Sequence, residues 1–148
     1  MKIPYAPGSE SGWEKIHDTN VFKYFYELLP ELYNIKTIAI IGPGKKEEEH
    51  LEKFNTIVFE PDEKRAKELK RYNVKVINDM GYEIEKYLPE KSVDAAYAFN
   101  IVNWPPFDFL KFLRGVYKVL RDGGVLVFSV YSKIWREAKD KKLSLIHI

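Results

Sequence analysis

Residues 36–44 read Lys-Thr-Ile-Ala-Ile-Ile-Gly-Pro-Gly, a short apolar run that ends at two glycines and a proline. Branched side chains such as isoleucine favour strands because they pack well on a pleated surface. A run without alternation of apolar and polar residues is typical of a strand buried on both faces of a parallel sheet. The glycines of Gly42-Pro43-Gly44 then let a ligand approach the backbone closely. The stretch therefore predicts a central strand with a candidate binding loop at its carboxyl end.

Further apolar runs follow this strand, separated by charged or amphipathic segments. Strands are predicted at 56–60, 74–77, 93–99 and 125–130, and helices at 45–54, 62–72, 82–88 and 109–120. Asp122-Gly123-Gly124 is expected to form the turn into the last of these strands. Alternating strands and helices imply right-handed crossovers and a sheet covered on both faces. We therefore expect an α/β fold with a doubly wound, mostly parallel sheet.

The chain divides into three parts around this alternation. Residues 1–35 are expected to form an N-terminal segment and a helix that stops or kinks at Pro30, and residues 36–142 the α/β domain. The last six residues, 143–148, match one reading frame of a transposon-end adapter used in sequencing, and we interpret them as an assembly scar. The alternative is a sixth strand, because their apolar residues alternate. The scar interpretation predicts an unpaired apolar edge on the fifth strand and a sheet without its C-terminal strand hairpin.

Composition excludes several classes of protein. The 148 residues contain no cysteine, which rules out disulfides and thiolate metal ligands, and the three histidines lie far apart, so we expect no metal site. The longest apolar run is too short to cross a bilayer, and the N-terminus lacks a signal core, so we expect a cytoplasmic protein without membrane contact. A net charge of +2 is too small to indicate a nucleic-acid partner.

Polar or small residues stand at the end of each of the first four predicted strands. In an open parallel sheet, ligands bind at these carboxyl ends. Glu60 lies 18 residues after Gly42, where a carboxylate can accept hydrogen bonds from both ribose hydroxyls. Asp79 offers a carboxylate for an adenine amino group, and Asn100 ends the fourth strand. Each residue alone could serve only in a turn or a helix cap, but their joint placement favours a binding site.

A known family carries five motifs in this order. The matching segments are 40–44, 59–62, 77–80, 93–100 and 119–127. Together they resemble the ordered motifs of class I S-adenosylmethionine-dependent methyltransferases. The resemblance extends over residues 36–132 and implies a Rossmann-like methyltransferase fold.

The resemblance also implies a function and a set of cofactor-binding residues. The implied reaction is methyl transfer from S-adenosylmethionine to an unidentified acceptor, for which we expect a small molecule. The implied cofactor-binding residues are Gly42, Pro43, Gly44, Glu60, Pro61, Asp79, Met80 and Asn100. No general base stands out, so no catalytic residue is named. Aromatic residues that could close the pocket or stack on a substrate are Tyr5, Trp13, Tyr24 and Trp104.

Two positions depart from the family pattern. Ile40 stands where the family usually has an acidic residue, and Lys46 stands where it has a third glycine. The acidic run 47–49 could replace the lost carboxylate, although a solvated helix start is the simpler interpretation. Two other functions remain open: a non-catalytic methyltransferase-like binding domain, and an NAD-binding oxidoreductase. The glycine pattern of a dinucleotide-binding oxidoreductase needs a third glycine at the position where Glu47 stands.

Overall fold

The computed structural model describes residues 22–99, 107–130 and 142–147, and its sheet has six strands. The strands are β1 (Thr37–Ile41), β2 (Asn55–Phe59), β3 (Lys75–Ile77), β4 (Val93–Ala98), β5 (Leu120–Val130) and β6 (Lys142–His147). Their order in the sheet is β3-β2-β1-β4-β5-β6, with β1 to β5 parallel and β6 antiparallel. The predicted doubly wound, mostly parallel α/β fold is confirmed.

Short helical segments connect the strands. They are a π-helix (Tyr24–Leu28) that continues into α1 (Leu29–Leu32), a 3-10 helix (Lys45–Lys53), α2 (Glu63–Leu69), a 3-10 turn (Gly81–Glu83) that continues into α3 (Ile84–Tyr87), and α4 (Phe109–Val119). Among the described segments, no helix has both the length and the apolar character that a membrane span requires.

Strand β1 is the centre of the fold. Its side chains alternate between two separate apolar clusters, so that Ile38 and Ile40 face one side of the sheet while Ala39 and Ile41 face the other. Helices α3 and α4 cover the second side, and the N-terminal helix, the 3-10 helix 45–53 and α2 cover the first. Because helices cover both faces, an unbroken apolar strand is buried here without exposing any hydrophobic surface.

The order of the strands places the loop after β1 at a switch point. The chain passes from β1 to β2 on one side, whereas β4 and β5 lie on the other side of β1. Connections that leave in opposite directions open a crevice at the carboxyl ends of the strands, which is the usual ligand position in such sheets. The glycine loop 42–44 lies at this crevice.

The N-terminal helix accommodates a proline near its end. Pro30 has no N–H and its ring would clash with the carbonyl group four residues earlier in a regular α-helix. The helix takes the wider π form over Tyr24–Leu28, then continues as α1 through Pro30 and ends at Leu32. The predicted stop near Pro30 is therefore confirmed, and Asn34, with φ of 53°, turns the chain toward β1.

Strand β5 begins earlier than expected. Val93 pairs with Leu120 and Ala95 with Val125, so a step of two residues along β4 lies opposite a step of five residues along β5. The segment Asp122-Gly123-Gly124 is a bulge within β5. The prediction that this segment forms a turn before the strand is therefore wrong. Gly123, with φ of +76°, provides the backbone conformation that this bulge needs.

The outer edge of β5 is paired. Strand β6 runs antiparallel to it, from Val125 opposite His147 to Val130 opposite Lys142. The expectation of an unpaired apolar edge on β5 is therefore wrong, because the alternating hexapeptide supplies the backbone donors and acceptors of a neighbouring strand. The pairing shows the conformation of this segment and leaves the scar origin a prediction.

Replacement of Gly81 by alanine should destabilise the fold. An added Cβ would lie 2.5 Å from Cγ2 of Ile41, a buried β-branched side chain at the end of β1 that has little room to move. We expect Gly81→Ala to lower the free energy of unfolding by about 1–3 kcal/mol, measured by urea denaturation. The exposed Lys64→Ala should change it by less than about 0.5 kcal/mol. Equal stabilities of the two variants would contradict the close packing.

Candidate functional site

The glycine loop after β1 is held by side chains from two other segments. Gly42 has φ of 55°, and its N–H donates to Phe59 O at 2.8 Å, which extends the ladder between β1 and β2. Arg65 Nη2 donates to Pro43 O at 2.9 Å, and Gly44 N–H donates to Glu47 Oε2 at 2.8 Å. The conformation of the loop therefore depends on these side chains as well as on the strand that precedes it.

Glu60 follows β2 directly and is only 7% exposed. Its N–H donates to Ile77 O at 2.9 Å, and its Oε2 accepts the N–H of Asp62 at 3.0 Å. Among the described residues, its other carboxylate oxygen has no hydrogen-bond partner. Burial raises the pKa of Glu60 to about 7, because the charged form has lost its hydration. The end of β2 thus presents a buried carboxyl group with one oxygen unused.

Asn78, the first residue after β3, joins the loop after β3 to the loop after β2. Asn78 Nδ2 donates to Glu60 O at 2.9 Å and to Pro61 O at 3.1 Å. Met80 is partly buried against the apolar cluster under α3 and α4. The loops after β2 and β3 therefore form one hydrogen-bonded edge.

Asp79 is held by two donors. Oδ1 accepts the N–H of Met80 at 2.7 Å, and Oδ2 accepts the hydroxyl of Tyr87 at 2.5 Å. Partial burial acts to raise the pKa of Asp79, but the hydrogen bonds from Tyr87 and Met80 outweigh it, so the pKa lies below its ordinary value. Asp79 is therefore charged at neutral pH.

The structure brings the glycine loop, Glu60 and Asp79 to the same edge of the sheet. Asn100 lies outside the described residues, as do Tyr5, Trp13 and Trp104. Phe99, which precedes Asn100, is 2% exposed and packs edge-on against Phe22 at 5.7 Å between ring centres. Tyr24 is 41% exposed on the N-terminal helix. That these residues bind a cofactor or a substrate stays a prediction.

The acidic run 47–49, which is expected from the sequence to be a solvated helix start, is partly buried. The solvated helix start is wrong for two of its members, since Glu47 is 3% and Glu48 is 8% exposed. Glu48 accepts from Arg65 at 3.1 Å, from Arg71 at 2.5 Å and from Tyr72 at 2.6 Å. Burial acts to raise the pKa of Glu48, but these three donors outweigh it and lower the pKa. Glu48 thus fastens the 3-10 helix to α2.

Glu47 has a different environment from its neighbour. Its Oε1 accepts the hydroxyl of Tyr26, from the N-terminal helix, at 2.5 Å, and its Oε2 accepts the Gly44 N–H. Burial raises the pKa of Glu47 to about 7 although both hydrogen bonds act to lower it. Sequence reasoning treated Glu47 as one of three equivalent acids, and the only local signal was its position three residues after Gly44, where a glutamate can cap a helix start.

The described residues hold no cluster of three or more histidine, aspartate or glutamate side chains placed to bind a metal ion. The polar groups that converge at the strand ends are carboxylates and backbone amides. Carboxylates accept hydrogen bonds from hydroxyl and amino groups and backbone N–H groups donate them, so together they would hold an organic ligand.

Comparison with solved structures identifies the fold. No protein-family model and no curated protein sequence matches the chain. A SAM-dependent methyltransferase from Archaeoglobus fulgidus aligns with a TM-score of 0.60 and 18% identity, over 81% of this chain and 57% of that one. Another from Methanosarcina mazei aligns with a TM-score of 0.61 and 15% identity, over 73% and 59% of the two chains.

A third solved structure contains bound ligands. It is the 1,6-didemethyltoxoflavin-N1-methyltransferase of Burkholderia thailandensis with 1,6-didemethyltoxoflavin and S-adenosylhomocysteine, with a TM-score of 0.54, 16% identity and coverage of 73% of this chain. The chain spans 51–59% of the lengths of these three proteins. It has the Rossmann-like fold of class I methyltransferases, as the sequence motifs predict.

The raised pKa of Glu60 predicts a pH-dependent effect of its replacement. The folded state binds the proton more tightly than the unfolded state, whose pKa is near 4.5, so stability from this group is lost as the pH rises toward 7. Glu60→Gln removes that loss. Relative to wild type, it should gain about 1–3 kcal/mol of unfolding free energy between pH 5 and pH 8.

Urea denaturation at the two pH values measures this difference. Glu63→Gln is the matched control, because the Glu63 side chain is 77% exposed and its variant should follow wild type at both pH values. A Glu60→Gln effect that is the same at pH 5 and pH 8 would show that Glu60 has an ordinary pKa.

Proposed function

We propose that this chain binds S-adenosylmethionine and belongs to an enzyme that transfers its methyl group to a small-molecule acceptor. The observation that carries the proposal is Glu60, a buried carboxyl group with one unused oxygen at the end of β2, beside a glycine loop at the switch point of the sheet. The fold supports it, and a small acceptor is supported by the 1,6-didemethyltoxoflavin that the B. thailandensis protein binds.

The hydrogen-bond acceptors at this edge of the sheet fit the adenosine part of the cofactor. A ribose carries two adjacent hydroxyl donors, and the unused oxygen of Glu60 can accept from one while Oε2, which already accepts once, can accept from the other. Each oxygen of Asp79 has one partner and can accept a second hydrogen bond, from an adenine amino group. Gly42, Pro43, Gly44, Pro61, Met80 and Asn100 complete the proposed cofactor site.

Bound S-adenosylmethionine supplies a methyl group activated by a positively charged sulfur. The contribution of the protein is then mainly positional, since holding two reactants in line can supply about 7–11 kcal/mol of the barrier. Glu60 and Asp79 would fix the adenosine, and the glycine loop, held by Arg65 and Glu47, would fix the amino-acid end. No described residue is assigned as a general base. We also propose that residues 36–142 form the cofactor-binding domain and that the protein is cytoplasmic.

The geometry favours this cofactor over a dinucleotide. Dinucleotide-binding loops use free backbone N–H groups at a helix start to bind a pyrophosphate. Here the Gly44 N–H is bound to the Glu47 carboxylate, which would repel the phosphate charges. A ligand with a positive charge suits the same loop. A methyltransferase-like domain that binds without catalysis remains the second candidate, and the departures at Ile40 and Lys46 favour it.

Glu60→Gln should weaken binding of S-adenosylhomocysteine, measured by isothermal titration calorimetry. The glutamine keeps the shape but removes the charge and replaces one acceptor by a donor, so affinity should fall about 10- to 100-fold. Glu63→Gln should bind as wild type does. Saturable binding of NADH by wild type, without binding of S-adenosylhomocysteine, would overturn the proposal in favour of the oxidoreductase.

Asp79→Ala should also weaken S-adenosylhomocysteine binding, about 10-fold or more, because a charge-assisted hydrogen bond to adenine is lost. Tyr87→Phe is its matched control, since it removes the internal donor to Asp79 and keeps the carboxylate. Calorimetry on both variants separates the two roles of Asp79. If Asp79→Ala binds as tightly as Tyr87→Phe, Asp79 serves only to hold the turn.

A further inference from the structure

Glu47 is a buried carboxyl group that forms no ion pair with any cationic side chain among the described residues. Its two described hydrogen-bond partners, the Tyr26 hydroxyl and the Gly44 N–H, are both neutral. The nearest cation that acts on it, Arg65, is bound to Glu48 and to Pro43 O, and it influences Glu47 only through space. Glu48, one residue on, is bound to two guanidinium groups. The absence of such a partner therefore distinguishes Glu47 from its neighbour Glu48.

The aromatic groups packed against Tyr26, which binds Glu47, are neutral at pH 7. Burial raises the pKa of Tyr26 and of Tyr97, so both phenols keep their protons. His50 stacks on Tyr26 with 4.7 Å between ring centres, and burial together with Lys53 lowers its pKa. Beyond His50 lie the charges of Lys53, Glu49 and Glu27, which are more exposed. None of these groups compensates a charge on Glu47.

Removing a carboxylate from water without a cationic partner costs several kcal/mol by general estimates. The cost falls if a cation arrives with the ligand. Gly44, which bridges Glu47 to the crevice, is only partly buried, and each oxygen of Glu47 can accept a second hydrogen bond. Glu47 thus contacts the glycine loop to which the amino-acid end of the cofactor is assigned above.

We propose that Glu47 is the counter-charge for the ammonium group of the cofactor's amino-acid end. This inference rests on the proposed function and deepens it, because it assigns the part of the ligand that the loop selects. Apolar Ile40, which is fully buried, cannot provide that charge from the strand. Glu47 reaches the same loop from the following helix, held in place by Tyr26. The loop would therefore distinguish ligands that carry an ammonium group from ligands that lack one.

Three nucleosides with the same adenosine part test the inference by calorimetry. S-adenosylmethionine carries an ammonium, a carboxylate and a sulfonium, S-adenosylhomocysteine carries the ammonium and the carboxylate without the sulfonium, and 5′-methylthioadenosine carries none of the three. Glu47→Gln should weaken the first two about tenfold or more and leave 5′-methylthioadenosine within about twofold. Glu49→Gln, whose side chain is 73% exposed, should bind all three as wild type does.

A second variant separates charge from position. Tyr26→Phe removes the hydroxyl that holds Glu47 but keeps the carboxylate, so it should retain most of the preference for the ligands with an ammonium group. Binding of 5′-methylthioadenosine also shows that each variant is folded. In wild type, ammonium binding should release a proton from Glu47 near pH 7, which appears as a dependence of the measured heat on the ionisation enthalpy of the buffer.

The outcomes distinguish the two proposals. If wild type binds none of the three nucleosides, the proposed function fails and this inference fails with it. If wild type binds them but Glu47→Gln weakens all three equally, or none, the proposed function stands and Glu47 is only a brace of the loop. If Glu47→Gln does not fold, wild-type affinity for 5′-methylthioadenosine equal to that for S-adenosylhomocysteine overturns the inference.

Discussion

The double-sided burial of β1 is the constraint on which the rest of the structure depends. Four consecutive residues, Ile38 to Ile41, are at most 2% exposed. A strand of this kind must be covered by helices on both faces and flanked by strands on both edges. The N-terminal helix is part of that cover, because Phe25, Tyr26 and Leu29 pack on the face that carries Ile38 and Ile40. It is therefore a component of the core, although it precedes the first strand.

The two ends of the sheet use polar groups differently. At the amino ends, Asp94 accepts the N–H groups of Lys36 and Thr37, both at 2.9 Å, and the Arg121 side chain at 2.7 Å. Every one of these contacts is internal, and the result is a fastening between β1, β4 and β5. Near the carboxyl ends, Glu47 and Glu60 are buried, and the hydrogen-bond donors described for them are neutral. Buried carboxyl groups with raised pKa values cluster at functional sites, and here they mark one end of the sheet.

The sequence predicts the features that depend on local pattern. Unbroken apolar runs indicate β1, β2 and β4 because burial on both faces leaves no alternation, and the helix predicted from residue 62 is α2, which Asp62 caps by accepting the Lys64 N–H. The position of Glu60 and Asp79 at strand ends follows from the same pattern. What the sequence does not contain is the tertiary environment of a side chain. Glu47 and Glu49 look equivalent in a charged run, and only the docking of Tyr26 makes one of them buried.

The same limit applies to β5 and β6. Asp122-Gly123-Gly124 has the composition of a turn, and the neighbouring β4 imposes strand pairing on both sides of it. Whether six alternating residues at the chain end form a strand depends on a free edge to pair with, which β5 provides.

The π form of the N-terminal helix has a consequence for how this chain can change over generations. A π turn is a wider helical turn that is equivalent to one residue inserted into an α-helix. Loss of one residue from Tyr24–Leu28 would convert the π turn into a regular α turn, so the side chains before the deletion would keep nearly the same orientation relative to those after it. Leu29 and the residues before the turn would then still face the same side of the sheet. The π turn therefore lets this segment differ in length by one residue while its buried face stays in place.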